Sequence, residues 1–244
     1  MLVRGPTWHD RHVSGSLCST HVYETHVTVR CGSSAEAERL DRWATAVGLK
    51  LTHIVLARGR MPTQPMLTLT GSPSYAAESA RAWEVAARLR ADGFEPVRVK
   101  IESSPWAPEV PGEPCADERY FEHHVKLRLP VDADLDALAA RVVPYGAHLS
   151  WNARRVAPNG RWTERFVTQR CRGVDTAGAG RALERLLAEL RGPDVVEAVE
   201  VVDVEREFVL YDSDLSVDDG WIDGWIEESE GVVVAAPQVR EVRG

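Results

Sequence analysis

Apolar and polar residues alternate in short stretches along the chain, and most charges of each stretch fall on one parity. Tyr23, Thr25, Val27 and Val29 interleave with Glu24, His26, Thr28 and Arg30. Phe121, Val125, Leu127 and Leu129 interleave with Glu122, His124, Lys126 and Arg128. The same rule holds for Arg98, Lys100 and Glu102 between valines and Ile101, for Asp203, Glu205 and Glu207 near Val202, Val204 and Phe208, and for His148, Ser150, Asn152 and Arg154 near Leu149 and Trp151. Side chains alternate across a strand, so each stretch predicts a strand with one apolar and one polar face.

Between these stretches the period lengthens. SSAEAERLDRWATAVG (33–48) and VDADLDALAARVVPYG (131–146) predict amphipathic helices closed by Gly48 and Gly146. Residues 72–93 and 175–192 predict a second helix in each half, the latter capped by Thr176 with Gly178 and Gly180 in its first turns. At one constant offset Glu24 falls on Glu122, His26 on His124, Leu40 on Leu138 and Gly48 on Gly146. Each half reads βαββαβ, the ferredoxin-like order. The expected fold is therefore α+β: a tandem duplication of a ferredoxin-like unit. It comprises two antiparallel sheets with helices on one face and a polar face that forms a cleft. The expected segments are a flexible tail (1–19), a first repeat (20–103), a Pro-rich linker (104–118), a second repeat (119–211) and an acidic, Trp-containing extension (212–244). That extension is expected to cover one end of the cleft or to dock on a second subunit as a homodimer contact. Asp212, Asp214, Asp218 and Asp219 in it resemble a cation loop without EF-hand spacing.

Composition narrows the function classes. The formal charge of −8 argues against sequence-independent nucleic-acid binding, which needs a phosphate-neutralising surface. No apolar run reaches the length of a membrane span, and the N-terminal residues lack a signal-peptide core. Cys18, Cys31, Cys115 and Cys171 form no paired framework, which points to a reducing cytoplasm. Cys171 reads as a packed thiol, His53 as a core or edge histidine, and His123 as part of the helix-facing set.

The polar parity carries the candidate chemistry. Glu24, His26, Glu122 and His124 supply two imidazoles and two carboxylates, a ligand set for a divalent Zn, Mn, Fe or Mg ion or a set of acid and base groups. Asp203, Glu205 and Glu207 are an alternative set of metal ligands. Lys126, Arg128, Arg154, Arg170, Lys100 and His148 are expected to hold a small anionic substrate. A solvated face, charged for solubility alone, is the competing reading.

Glu122-x-His124-x-Lys126 resembles the first-strand Glu-x-Glu-x-Lys of triphosphate-tunnel metalloenzymes, with His124 where their second Glu stands. The resemblance implies divalent-ion chemistry on a phosphorylated substrate in a charged interior. His26-Val27-Thr28 and His148-Leu149-Ser150 are similar to the paired motifs of two-histidine phosphoesterases, which implies metal-free acid–base catalysis on a phosphodiester. Here, however, the two motifs fall on non-equivalent strands, and Lys126 follows in the repeat of the first. The favoured expectation is a metal-dependent hydrolase or lyase acting on a small anionic metabolite, phosphorylated ones included. The alternatives are the metal-free phosphodiesterase and a non-enzymatic ligand-binding or assembly module.

Overall fold

Each alternating stretch becomes a strand, and helices fill the segments of longer period. A computed structural model describes residues 22–114, 117–153, 161–192, 199–222, 224–226 and 233–235. The tail expected over 1–19 and most of the extension beyond residue 222 lie outside these residues. The first half contains β1 (Tyr23–Arg30), α1 (Ser34–Val47), β2 (Lys50–Leu56), β3 (Thr63–Thr70), α2 (Tyr75–Ala91) and β4 (Glu95–Ser103). The second contains β5 (Tyr120–Pro130), α3 (Leu135–Val142), β6 (Ala147–Asn152), β7 (Trp162–Arg172), α4 (Thr176–Leu190) and β8 (Glu200–Asp212). Short strands β9 (Gly224–Ile226) and β10 (Val233–Ala235) follow.

Local chemistry sets the helix ends. Ser33 accepts a hydrogen bond from the Glu36 N–H at 3.2 Å, and Gly48 closes α1 in the left-handed conformation at φ 71°. The cap of α4 is Asp175 rather than Thr176; its carboxylate accepts from the Gly178 N–H at 2.6 Å. A charged acceptor at this position also meets the positive end of the helix dipole.

The expected pair of open ferredoxin-like sheets is incorrect. The strands run β7-β5-β8-β4-β1-β3-β2-β6, and β6 pairs back onto β7, giving one closed, antiparallel eight-stranded barrel. Two seams between the halves make the closure. Lys100–Ser103 of β4 pairs with Phe208–Asp212 of β8, and Ile54–Leu56 of β2 pairs with Ser150–Asn152 of β6. An open sheet would leave unpaired backbone groups along those strands, and closure satisfies them. Bulges at Thr28/Val29, Ile101/Glu102 and Lys126/Leu127 add the local bend that closure needs.

The apolar parity faces outward, beneath the helices. Val27, Val29, Leu67, Leu69, Val99 and Ile101 pack with Leu40 of α1 and with Ala82, Ala86 and Leu89 of α2. Val125, Leu127, Leu149 and Val167 pack with Leu138 of α3 and with Leu183, Leu186 and Leu190 of α4. The polar parity is thereby turned into the barrel, where eight strands leave room for little more than side chains. Among the described residues no helix is long and apolar enough to cross a membrane.

Residues after β8 fold across one end of the barrel. Trp221 and Ile222 pack on Leu56, and the Trp221 indole N–H donates to the Leu149 carbonyl at 2.9 Å. The β2–β3 turn clasps this segment: the Arg60 N–H donates to the Asp219 carbonyl at 2.7 Å, and Gly59 has φ 116°. A methyl group on Gly59 would meet the Asp219 oxygen at 3.0 Å and the Trp221 N at 3.1 Å. Gly59→Ala is therefore expected to cost about 1–3 kcal/mol of stability in a denaturant melt. Gly112→Ala, whose added methyl meets open space, should leave the midpoint unchanged.

Candidate metal centre

The barrel wall delivers ionisable groups to a shared interior by strand register. Glu24 of β1 lies opposite Glu102 of β4, and Glu122 of β5 lies opposite Glu207 of β8. His26 and His124 stand two residues further along β1 and β5, opposite Thr68 and Thr168 of the neighbouring strands. One ligand atom each from Glu102, Glu122, His124 and Glu207 falls within a mutual separation of 4.8 Å. Glu102 and Glu122 are buried, whereas the His124 and Glu207 side chains keep 24% and 20% of their surface exposed. That exposure gives solvent a route to the group.

Of the residues expected from sequence, Glu122, His124 and Glu207 join this group, and Glu24 and His26 adjoin it through Glu102. His26 Nε2 lies 3.4 Å from Glu24 and 3.1 Å from Glu102. Lys100 Nζ sits between Glu102 at 2.6 Å and Glu122 at 2.5 Å. Arg170 is buried and donates both to Glu122 and, at 2.7 Å, to Asp218. Lys126 pairs with Glu164 at 2.8 Å, and Arg128 pairs with Glu200 at 2.9 Å on a more exposed part of the wall. Asp203 and Glu205 fall outside the four-ligand group; Asp203 instead accepts from the Val204 N–H at 2.9 Å. The His148 ring lies 6.1 Å from that of Trp221. Arg154 lies outside the described residues.

Two features went unforeseen. Glu102 appears in the sequence only as one more polar position on β4, and its proximity to β5 follows from the β4–β8 seam. The acidic segment after β8 turns inward rather than forming a cation loop. Arg98 donates to Asp212 and, at 2.7 Å, to Asp218, while Gln64 donates to Asp218 at 2.8 Å and the Tyr120 hydroxyl donates to Asp212 at 2.8 Å. Buried arginines opposite a Trp-bearing acidic segment were the available signal.

Proton affinities follow from this packing. Burial opposes charge on His124, but hydrogen bonds to Glu122 and Glu207 outweigh it and raise the imidazolium pKa to about 10. Glu207 is pushed up to about 7 by burial and by the charge of Glu102, against the pull of His124. Burial also works against an ionised Glu122, but Arg170 and Lys100 hold it well below the usual carboxylate range. Asp218 is lowered by Arg98 and Arg170 in the same way. On the outer face, the His123 Nδ1–H donates to Gln169 Oε1 at 3.0 Å, and burial lowers the ring to about 4, so it stays neutral near pH 7.

No protein-family model and no curated protein matches the chain.

Proposed function

We propose that this protein is a metal-dependent enzyme acting on a small anionic metabolite, with a divalent ion held by Glu102, Glu122, His124 and Glu207. The observation that carries the reading is the four-ligand group itself, three carboxylates and one imidazole brought within 4.8 Å of one another. Around it, Glu24, Glu102, Glu122, Glu207, Asp212 and Asp218 face Arg98, Lys100 and Arg170 and the His124 imidazolium, whose proton an arriving divalent ion would displace. This oxygen-rich set with one imidazole suits Mn or Fe better than a thiolate-preferring ion. Lys126 and Arg128 follow His124 on the same face of β5 and lead outward from the group. They would exchange Glu164 and Glu200 for the oxygens of the substrate. A cytoplasmic setting belongs to the same reading, and Cys31 and Cys171 are free thiols.

The test is binding of Mn²⁺ to the metal-stripped full chain by calorimetry, beside a Glu207→Gln/His124→Asn variant. Both side chains retain solvent exposure, so the variant should fold, which circular dichroism checks. Saturable binding in the wild type and its loss in the variant are expected, together with Mn²⁺-dependent turnover of a panel of small phosphate esters and anhydrides. If the wild type takes up no ion, the interior is a self-neutralised ion-pair network and the reading fails. Binding without turnover would retain the ion and remove the enzyme.

A further inference from the structure

Three of the four ligands, Glu122, His124 and Glu207, form one half of a repeated arrangement. In the second half, Thr168 Oγ1 meets His124 Nδ1 at 3.0 Å, and His124 Nε2 faces Glu122 at 3.2 Å and Glu207 at 3.3 Å. In the first half, Thr68 Oγ1 meets His26 Nδ1 at 3.3 Å, and His26 Nε2 faces Glu24 at 3.4 Å and Glu102 at 3.1 Å. Each half thus presents Glu-x-His from its first strand, a glutamate from its last strand and a threonine that orients the ring from behind. A partner on the far ring nitrogen is what fixes a ligating imidazole in place.

Glu102 belongs to both halves. By register it is the partner of Glu24, yet by distance it joins Glu122, His124 and Glu207. It is buried, with Lys100 Nζ 2.6 Å from one of its oxygens and His26 Nε2 3.1 Å from the other. A buried carboxylate that faces His26 and also lies among Glu122, His124 and Glu207 has the position of a bridging ligand. The inventory is also informative. Four glutamates and two histidines, one glutamate from each of two elements and a Glu/His pair from each of two others, is the set that helical bundles use for di-iron and di-manganese carboxylate centres. Here strands supply it.

We infer that the barrel holds two divalent first-row ions. One is bound by Glu122, His124 and Glu207 and the other by Glu24 and His26, with Glu102 shared between them. This inference rests on the metal-dependent reading above. Glu24 lies directly opposite Glu102 and is partly exposed, so it can turn toward the shared carboxylate. Two adjacent ions can clamp the attacking and leaving oxygens of a phosphoryl group, which narrows the anionic substrate to a phosphate ester or anhydride.

Titration of the metal-stripped full chain with Mn²⁺ decides the matter, read by equilibrium dialysis and low-temperature electron paramagnetic resonance. Two ions per chain are expected, with a spin-coupled spectrum. The Glu24→Gln/His26→Asn variant should bind one ion and show the six-line spectrum of isolated Mn²⁺. One ion per chain in the wild type, with an uncoupled spectrum, would overturn the inference and leave the single-ion reading standing. Two ions retained by the variant would overturn it as well, by placing the second ion elsewhere. Absence of binding would remove both readings. The wild-type count and spectrum decide even if the variant does not fold.

Discussion

Arg170→Met is expected to destabilise the protein by roughly 3–5 kcal/mol, the scale found when one partner of a buried ion pair is removed. Arg170 is 2% exposed and spans the interior, with its guanidinium against Glu122 on one side and Asp218 on the other. Methionine matches much of its length but leaves Glu122 with Lys100 and His124 alone, and Asp218 with Arg98 and Gln64. Most of the loss therefore comes from the stranded carboxylates rather than from a missing attraction. The double variant Arg170→Met/Glu122→Gln should recover part of the stability, since one of those charges goes with its partner. Urea denaturation of the two variants and the wild type is the measurement. A loss below about 1 kcal/mol for the single variant would mean that water solvates the network, as at exposed pairs.

Proton release should dominate the metal-binding thermodynamics. With no ion bound, His124 carries a proton up to about pH 10 and Glu207 up to about pH 7. Both must lose it to become ligands. Near pH 6 uptake of Mn²⁺ should release roughly two protons, and above pH 8 roughly one, so affinity should rise about 10⁴-fold between pH 6 and 9. Stability without the ion runs the other way. The folded-state pKa of His124 lies above its ordinary 6.5, so its contribution is complete below pH 6.5 and is lost as pH rises through about 10. Glu207, raised from 4.5 to about 7, loses its own contribution across that lower window. Calorimetry in buffers of different ionisation enthalpy counts the protons, and an affinity independent of pH would exclude His124 and Glu207 from the site.

The parts of this molecule that sequence conveys are those fixed by neighbours along the chain. Alternation of Glu24 and His26 with Val27 and Val29 depends only on strand geometry, and the Ser33 cap and Gly48 terminus of α1 are local chemistry. The parity that separates Glu122 and His124 from Val125 and Leu127 is equally local, so their common face was legible. Closure was not. Whether β4 and β2 end as free edges or pair with β8 and β6 depends on backbone hydrogen bonds, which any residue but proline can make. The same seam decides the four-residue ligand candidate, because it carries Glu102 toward Glu122 and Glu207. Asp218 was hidden for a related reason: its partners Arg98 and Arg170 come from opposite halves.

The position of Asp218 in the chain has a bearing on biosynthesis. Arg98 and Arg170 both direct a guanidinium at it, and both emerge from the ribosome before it does. A nascent chain that has produced all eight barrel strands still carries two arginines facing one another across the interior without that shared counter-charge. The outer wall can pack under its helices during translation, but the inside becomes electrostatically complete only once residue 218 has been released. The last counter-charge of the barrel interior is thereby supplied only after its eight strands have been made.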